Sequence, residues 1–294
     1  MTNSAALDRS VVEAACTSAG FDATGAEPVR VAENEIWRLP REQVIARIAR
    51  PGQWPAAVRE VQVARWLADN EVPAVRALPI EQPVEAFGRP VTWWHELPRH
   101  QPGTVIDVVT LLKQLHPQPI PDLPLGRLDP FVMVAERIEA STSIPDDDRT
   151  WLRRHLAELQ ARWADRPKGL PECVVHGDAW TGNVARTTDG PVLLDFERMS
   201  IGPPEWDLVS TAVKMTTTGG VTRAEYAEFC AGYGTDVTQW KGYELLAAAR
   251  ELRMTTYAAQ HAATRPEWRR EAQHRVDCLR GRTAPRPWHW KGIA

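Results

Sequence analysis

The sequence predicts an α+β protein in two lobes, a small antiparallel sheet with one inserted helix followed by a larger, mostly helical part. Short apolar runs alternate with polar turns between Val29 and Arg50, whereas from Thr104 onward apolar residues recur three and four apart. Between these textures, Pro98-Arg99-His100-Gln101-Pro102-Gly103 reads as a linker, so the expected lobes are residues 1–97 and 98–294. With 294 residues, 43% of them hydrophobic, the chain has ample material for a buried core.

In order, a short helix is expected over 5–16, then three antiparallel strands at Val29–Val31, Ile36–Leu39 and Val44–Ala49. Pro55 suits a first helical turn, and Val58, Val61, Ala64 and Leu67 give that helix an apolar face to about Asp69. Strands are expected at Ala74–Leu78 and Pro90–Leu97. Val105, Val108, Val109, Leu112 and Leu115 define a helix ending near His116, and a Pro-rich stretch over 117–130 predicts irregular chain. A helix carries Trp151, Leu152, Leu156, Leu159 and Trp163. Thr222 and Glu225 have capping-box spacing, a long helical pattern runs from about 238 to 262, and another over 266–279 ends at Gly281, a glycine suited to the residue after a helix.

The charges nearly balance, 35 basic against 38 acidic, so no global field favours nucleic acid or an anionic membrane. No apolar run approaches the ~20 residues of a membrane span, and Met1–Asp8 lacks the basic start and apolar stretch of a signal peptide. A cytoplasmic protein is expected. Cys16, Cys173, Cys230 and Cys278 lie far apart without metal-site spacing and read as reduced packing residues.

One stretch carries chemistry. After the apolar lead-in Val174-Val175 comes His176-Gly177-Asp178, then Asn183 five residues beyond Asp178, then a polar turn and the strand Pro191–Leu194 that delivers Asp195-Phe196-Glu197. Two short strands joined by a turn are expected to bring Asp178, Asn183 and Asp195 near one end of the hairpin. Phosphoryl transfer from ATP needs a carboxylate that positions an attacking hydroxyl and accepts its proton, together with oxygen ligands for Mg²⁺. The order H-x-D-x-x-x-x-N, apolar strand, D-F is that of a kinase catalytic loop.

These motifs, continued by Gly202-Pro203-Pro204-Glu205-Trp206-Asp207-Leu208, resemble the aminoglycoside phosphotransferase family, relatives of choline and homoserine kinases with a bilobal protein-kinase-like fold. The resemblance runs over nearly the whole chain. It implies that Asp178 is the catalytic base or hydroxyl-orienting residue and that Asn183 and Asp195 bind Mg²⁺. It also implies that Asp207 and His176 support the catalytic loop from within.

In the first lobe, Val44-Ile45-Ala46-Arg47 stands where a kinase places V-A-I-K. Alternation puts Ile45 and Arg47 on one face, suiting Ile45 to adenine and Arg47 to phosphates. Arginine is a departure from lysine, longer and planar, though able to bind phosphate with two parallel bonds. Glu60 is its natural ion-pair partner. The turn Ala32-Glu33-Asn34-Glu35 has no glycine, and its carboxylates would repel a triphosphate unless turned away; Asn34 is a candidate donor to the phosphates or a plain turn residue. Trp93-Trp94-His95-Glu96-Leu97 is the expected hinge, with the backbone of Glu96 and Leu97 on adenine. His95 reads as packing or surface, and His116 and His261 as helix-end or helix-face residues.

Glycine after His176 and the short interval between Asp195 and Gly202 favour a small-molecule hydroxyl over a protein as acceptor. The expected partners are ATP, with GTP as alternative donor, Mg²⁺ and a small hydroxylated compound, an aminoglycoside or other antibiotic, or a neutral or anionic metabolite. Residues 221–294 hold twelve basic and eight acidic residues, which argues against a polycation. Glu205, Glu225, Glu228, Glu251, Glu267 and Glu271 are the carboxylates that such a substrate could use, and Trp206, Trp240, Tyr243, Tyr257 and Trp268 the aromatic rings. Two alternatives stand beside the kinase: a nucleotide-binding module without turnover, motivated by Arg47 and the glycine-free turn, and a metal-dependent hydrolase built on His176, Asp178 and Asp195.

Overall fold

A computed structural model describes residues 2–31 and 34–292, apart from the side chains of residues 2–8 and 31. Contacts divide the chain into two compact units: 1–107, 118–125 and 181–199 form the first, and 108–117, 126–180 and 200–294 the second.

In the first unit α1 (Thr2–Ala19) precedes β1 (Glu27–Val31), β2 (Glu35–Leu39) and β3 (Val44–Ile48); α2 (Trp54–Asp69) is inserted before β4 (Val84–Ala86) and β5 (Arg89–His95). The five strands are antiparallel in the order β1-β2-β3-β5-β4. Burial alternates along β3, so Val44, Ala46 and Ile48 pack with Val12, Ala15 and Cys16 of α1, while Ile45 and Arg47 share the other face. Leu39 and Ile48 are completely covered, each worth roughly 1.5–3 kcal/mol of transfer free energy. α2 opens on Pro55 as expected and turns Glu60, Val61, Ala64 and Leu67 inward.

Two expectations in this unit fail for the same reason, which is pairing with chain far along the sequence. Ala74–Leu78 is no continuous strand: flanked by Pro73 and Pro79, it makes only single bridges, Ala74 to Leu193 and Ala77 to Trp94. The linker contains β6 (Gln101–Pro102), which pairs with β8 (Val184–Thr187), itself paired with β9 (Gly190–Leu193). The Leu193 backbone also bonds to Pro73 and Val75, so this hairpin is grouped with the N-terminal sheet, a membership that a single boundary at residue 97 does not describe.

α3 (Val105–Leu115) leads into the second unit, which holds α4 (Val134–Ala140), α5 (Asp146–Ala164), β7 (Cys173–Val175), β10 (Ser200–Gly202), α6 (Glu205–Val213), α7 (Arg223–Tyr233), α8 (Tyr243–Thr264) and α9 (Arg269–Leu279). α8 packs against α4, α5, α6 and α9. The Thr222–Glu225 capping box forms, and Gly281 takes φ 69° after α9. The long helix starts at Tyr243, later than expected, because 237–239 form a separate 3₁₀ turn ahead of Gly242. α4 was not legible in advance. The lead-in Val174-Val175 pairs with Ile201 and Ser200, and does not join the 184–193 hairpin. All four cysteines are free, and three are buried.

Candidate active site

The first unit gathers Arg47, Glu60, Asn34, Thr92, Gln53 and Glu197 around one pocket. Arg47 reaches across from β3 and its Nη1 pairs with Glu60 Oε2 on α2; its Nη2 lies 4.0 Å from Glu197 Oε2. Burial holds the Arg47 guanidinium below its ordinary pKa, offset by the charges of Asp195 and Glu197, which places both carboxylates within its field. Glu35 is turned away as the triphosphate reading requires: it is buried, and its Oε1 pairs with Arg89 at 2.7 Å. Glu33 lies outside the described residues.

The hairpin sets two further groups. Leu194 N–H donates to the Asn183 carbonyl (3.0 Å), so Asn183 and Asp195 leave the paired strands at the same end. Asp195 has φ 61°, a left-handed conformation that aspartate tolerates better than most residues. After it, Phe196 is buried with its ring 6.2 Å from Trp94, anchoring the exposed Asp195 by its neighbour. At the hinge, the expected use of the Glu96 backbone needs correcting in part. Its N–H is taken by the Gln43 carbonyl (3.1 Å), and its carboxylate accepts from Arg38 Nε (2.6 Å).

The second unit holds Asp178, half-buried after β7. Asp207, fully covered at the start of α6, accepts from the N–H groups of His176 (2.7 Å) and Gly177 (2.9 Å), and Asp178 N–H donates to His176 Nδ1 (3.3 Å). Gly177 has φ 81°, and its carbonyl accepts from Trp206 Nε1 (2.9 Å); glycine stands there because the turn demands that φ. Burial pushes the Asp207 carboxyl up, but the hydrogen bond and charge of His116, with His176 and Arg250, hold it below the usual carboxylate range. His116 is thus more than a helix-end residue: Nε2 donates to Asp207 (3.1 Å) and Nδ1 lies 2.8 Å from Tyr233 Oη.

Two residues escaped the sequence reading. Arg250, 6% exposed, donates from Nη1 to Asp178 Oδ1 (3.3 Å) and from Nη2 to the carbonyls of Gly177 (3.3 Å) and Trp206 (3.0 Å). A signal existed, since Arg250 shares the buried face of α8 with Leu246 and Ala247, where an ionisable side chain needs partners. Lys214, just after α6, lies with Nζ 4.0 Å from the centre of the Trp180 ring. Trp206 itself is fully buried and Tyr243 nearly so, both packing residues.

A model of the phosphotransferase enzyme family, APH, matches residues 26–252. The chain belongs to that family. No curated protein sequence matches this phosphotransferase. Among solved structures it is similar to a choline kinase from Streptococcus pneumoniae, with a TM-score of 0.66 and 17% identity over 93% of this chain and 98% of that one. An aminoglycoside phosphotransferase from Streptomyces rimosus, in complex with ADP and streptomycin, gives 0.58 and 18% over 81% and 97%. An amicoumacin kinase in complex with AMP-PNP, Ca²⁺ and Ami gives 0.66 and 14% over 92% and 96%. The fold is accordingly that of the choline kinases and aminoglycoside phosphotransferases, and the protein is a phosphotransferase of the APH family.

Proposed function

We propose that this phosphotransferase moves the γ-phosphoryl group of ATP to a hydroxyl of a small molecule, with Asp178 orienting that hydroxyl. The observation that carries the reading is the brace on the Asp178 loop: one buried carboxylate, Asp207, takes two successive backbone N–H groups and leaves Asp178 held but half-exposed. A carboxylate fixed in this way loses little freedom when it meets an acceptor.

In the first unit, Ile45 and the Glu96 carbonyl and Leu97 N–H serve adenine, and Arg47, steadied by Glu60, serves the phosphates, with Asn34 as a further donor. Mg²⁺ takes one or two protein oxygens beside water and phosphate. Asn183 and Asp195, leaving one end of a hairpin, fit that requirement. The bound ion neutralises charge between the phosphates; a divalent ion accompanies the nucleotide analogue in the amicoumacin kinase. The acceptor oxygen bonds to the γ-phosphorus, the bond from that phosphorus to the β,γ-bridging oxygen breaks and ADP leaves, and the hydroxyl proton passes to the Asp178 carboxylate.

Coupled ADP release with Mg·ATP, and with Mg·GTP as the alternative donor, across aminoglycosides, other antibiotics, choline-like alcohols and sugars tests this, with Asp178→Asn as control. Acceptor-dependent release lost in the variant supports the reading, and release unchanged in the variant sinks it. Among the described residues no group of three or more His, Cys, Asp and Glu could hold a metal ion, so the hydrolase alternative has no support there.

A further inference from the structure

Lys214 opens a single π turn, Lys214–Thr218, directly after the fully buried helix α6. Such turns interrupt the regular ladder and recur at functional sites. This one is fixed from two sides. Thr217 Oγ1 donates to Glu251 Oε1 (2.5 Å), Arg286 pairs with both Glu251 oxygens (3.0 and 2.7 Å), and Trp288 N–H donates to the Thr217 carbonyl (2.7 Å). Arg286 and Trp288 lie beyond the stretch matched by the family model, so this support belongs to the chain's own C-terminal tail.

The fixed turn presents a half-buried ammonium over the face of Trp180, two residues beyond Asp178. Trp180 is 39% exposed, so its face is open beside the ammonium. Among the described residues Lys214 makes no ion pair, and Asp178, the carboxylate whose charge acts on it, already pairs with Arg250. A half-buried cation without a counterion is costly unless a ligand supplies one. Burial brings Lys214 down to about 8, with Asp178 opposing that shift and Arg250 adding to it.

Four of the six carboxylates that a cationic acceptor could have used accept hydrogen bonds from other groups, Glu205 through Oε1 alone. Glu205 accepts from Leu170 N–H (2.6 Å), Glu225 caps α7, Glu251 holds the π turn, and Glu271 accepts from Arg275 Nε (2.8 Å) and Lys291 N–H (2.9 Å). Glu228 and Glu267 are exposed. Around Asp178 the side-chain charges are Asp178 itself and the buried Asp207 against Arg250 and Lys214. Asp207 is taken up by His116 and two backbone N–H groups and Asp178 by Arg250, which leaves Lys214 as the charge without an ion pair among the described residues.

We propose, resting on the reading of Asp178 as the acceptor-orienting carboxylate, that the acceptor alcohol carries its own anionic group, a carboxylate or a phosphate, and that Lys214 on the Trp180 ring receives it. Choline and aminoglycosides, which bring positive charge to the same place, are poor acceptors.

The test uses alcohols matched in skeleton: glycerate and glycerol 3-phosphate against glycerol, gluconate and glucose 6-phosphate against glucose, with choline and kanamycin as cations. Calorimetric binding and ADP release are measured with the full chain, with Lys214→Met, which keeps the length of the stem, and with Lys214→Arg. At least one anionic alcohol is expected to bind more tightly than its neutral partner. Lys214→Met should then raise its Kd and KM by about ten- to a hundredfold with a smaller effect on kcat, and Lys214→Arg should restore most of the loss. The carboxylate and phosphate arms separate the two anions. Asp178-dependent ADP release with cationic or neutral alcohols alone, no preference for any anionic alcohol, or a Kd indifferent to Lys214→Met overturns the proposal and leaves the phosphotransferase reading intact. Anion binding that depends on Lys214, with turnover indifferent to Asp178→Asn, does the reverse.

Discussion

Arg250 stands with Nη1 3.3 Å from Oδ1 of Asp178, and its guanidinium lies over the Trp206 ring at 4.2 Å. The same side chain donates to the carbonyls of Gly177 and Trp206, so one residue of α8 holds both the carboxylate and the backbone that carries it. Its burial lowers the pKa of the guanidinium, opposed by Asp178 and Asp207. We place Arg250 as a positioning residue for the loop.

Arg250→Ala should lower kcat by about ten- to a hundredfold while changing the KM for ATP little, because the residues proposed for the nucleotide belong to the other unit. Loss of the two backbone bonds and of the pair with Asp178, with the Gly177 carbonyl keeping its bond from Trp206 Nε1, should cost about 1–3 kcal/mol in urea denaturation. Arg250→Lys keeps the charge but loses the planar fork and should recover only part of either loss. A wild-type kcat in Arg250→Ala contradicts this role.

Asp207→Asn should destabilise the chain by about 2–4 kcal/mol near neutral pH, because the amide cannot accept at both positions from His176 and Gly177 N–H. The folded pKa of Asp207 lies below its unfolded value, so its stabilisation is complete above about pH 4 and is lost as the pH falls through the folded value. Denaturation of wild type and variant across pH should show a full gap near neutrality that narrows only in acid. A gap constant down to the acid limit contradicts it.

Arg47→Ala should raise the KM for ATP by about ten- to a hundredfold. Glu60→Gln should raise it less, and the double variant should cost less than the sum, since Glu60 acts through Arg47. Additive effects in this cycle would separate the pair. Arg47→Lys reports whether the pocket needs the longer, planar head.

If Lys214 receives an anionic group, the KM for an anionic acceptor should rise with pH through about 8, because burial penalises the charged form and the charge is lost above that value. About a tenth of the charge survives one pH unit higher. Asp178 and Arg250 are the charged groups that act on Lys214. Lys214→Arg should give a flat profile across the same range; a profile identical to wild type would assign the transition to another group.

Much of this was legible before any coordinates. β1–β3, α2 and α3 announce themselves by local periodicity, and the α7 capping box and Gly281 by residues with one strong local use. Alternation along β3 puts Arg47 on the face of Ile45, and its pairing with Glu60 follows from the place of that strand in a kinase. What was hidden depends on distant partners: β6 and β10 are too short to signal themselves and exist through β8 and β7. His116 and Arg250 look like ordinary polar residues at a helix end and within a helix until Asp207 and Asp178 are brought to them. The π turn at Lys214 has no sequence pattern of its own, since Thr217, Glu251 and Arg286 meet only in the fold.

The most direct measurement is transfer of the γ-phosphoryl label of ATP to an alcohol, followed with wild type and Asp178→Asn at matched nucleotide saturation. We expect labelled phosphoester with wild type and a loss of about a hundredfold or more in the variant, with ATP binding retained. Label transferred equally by both proteins would contradict the role of Asp178 and with it the reading of the site.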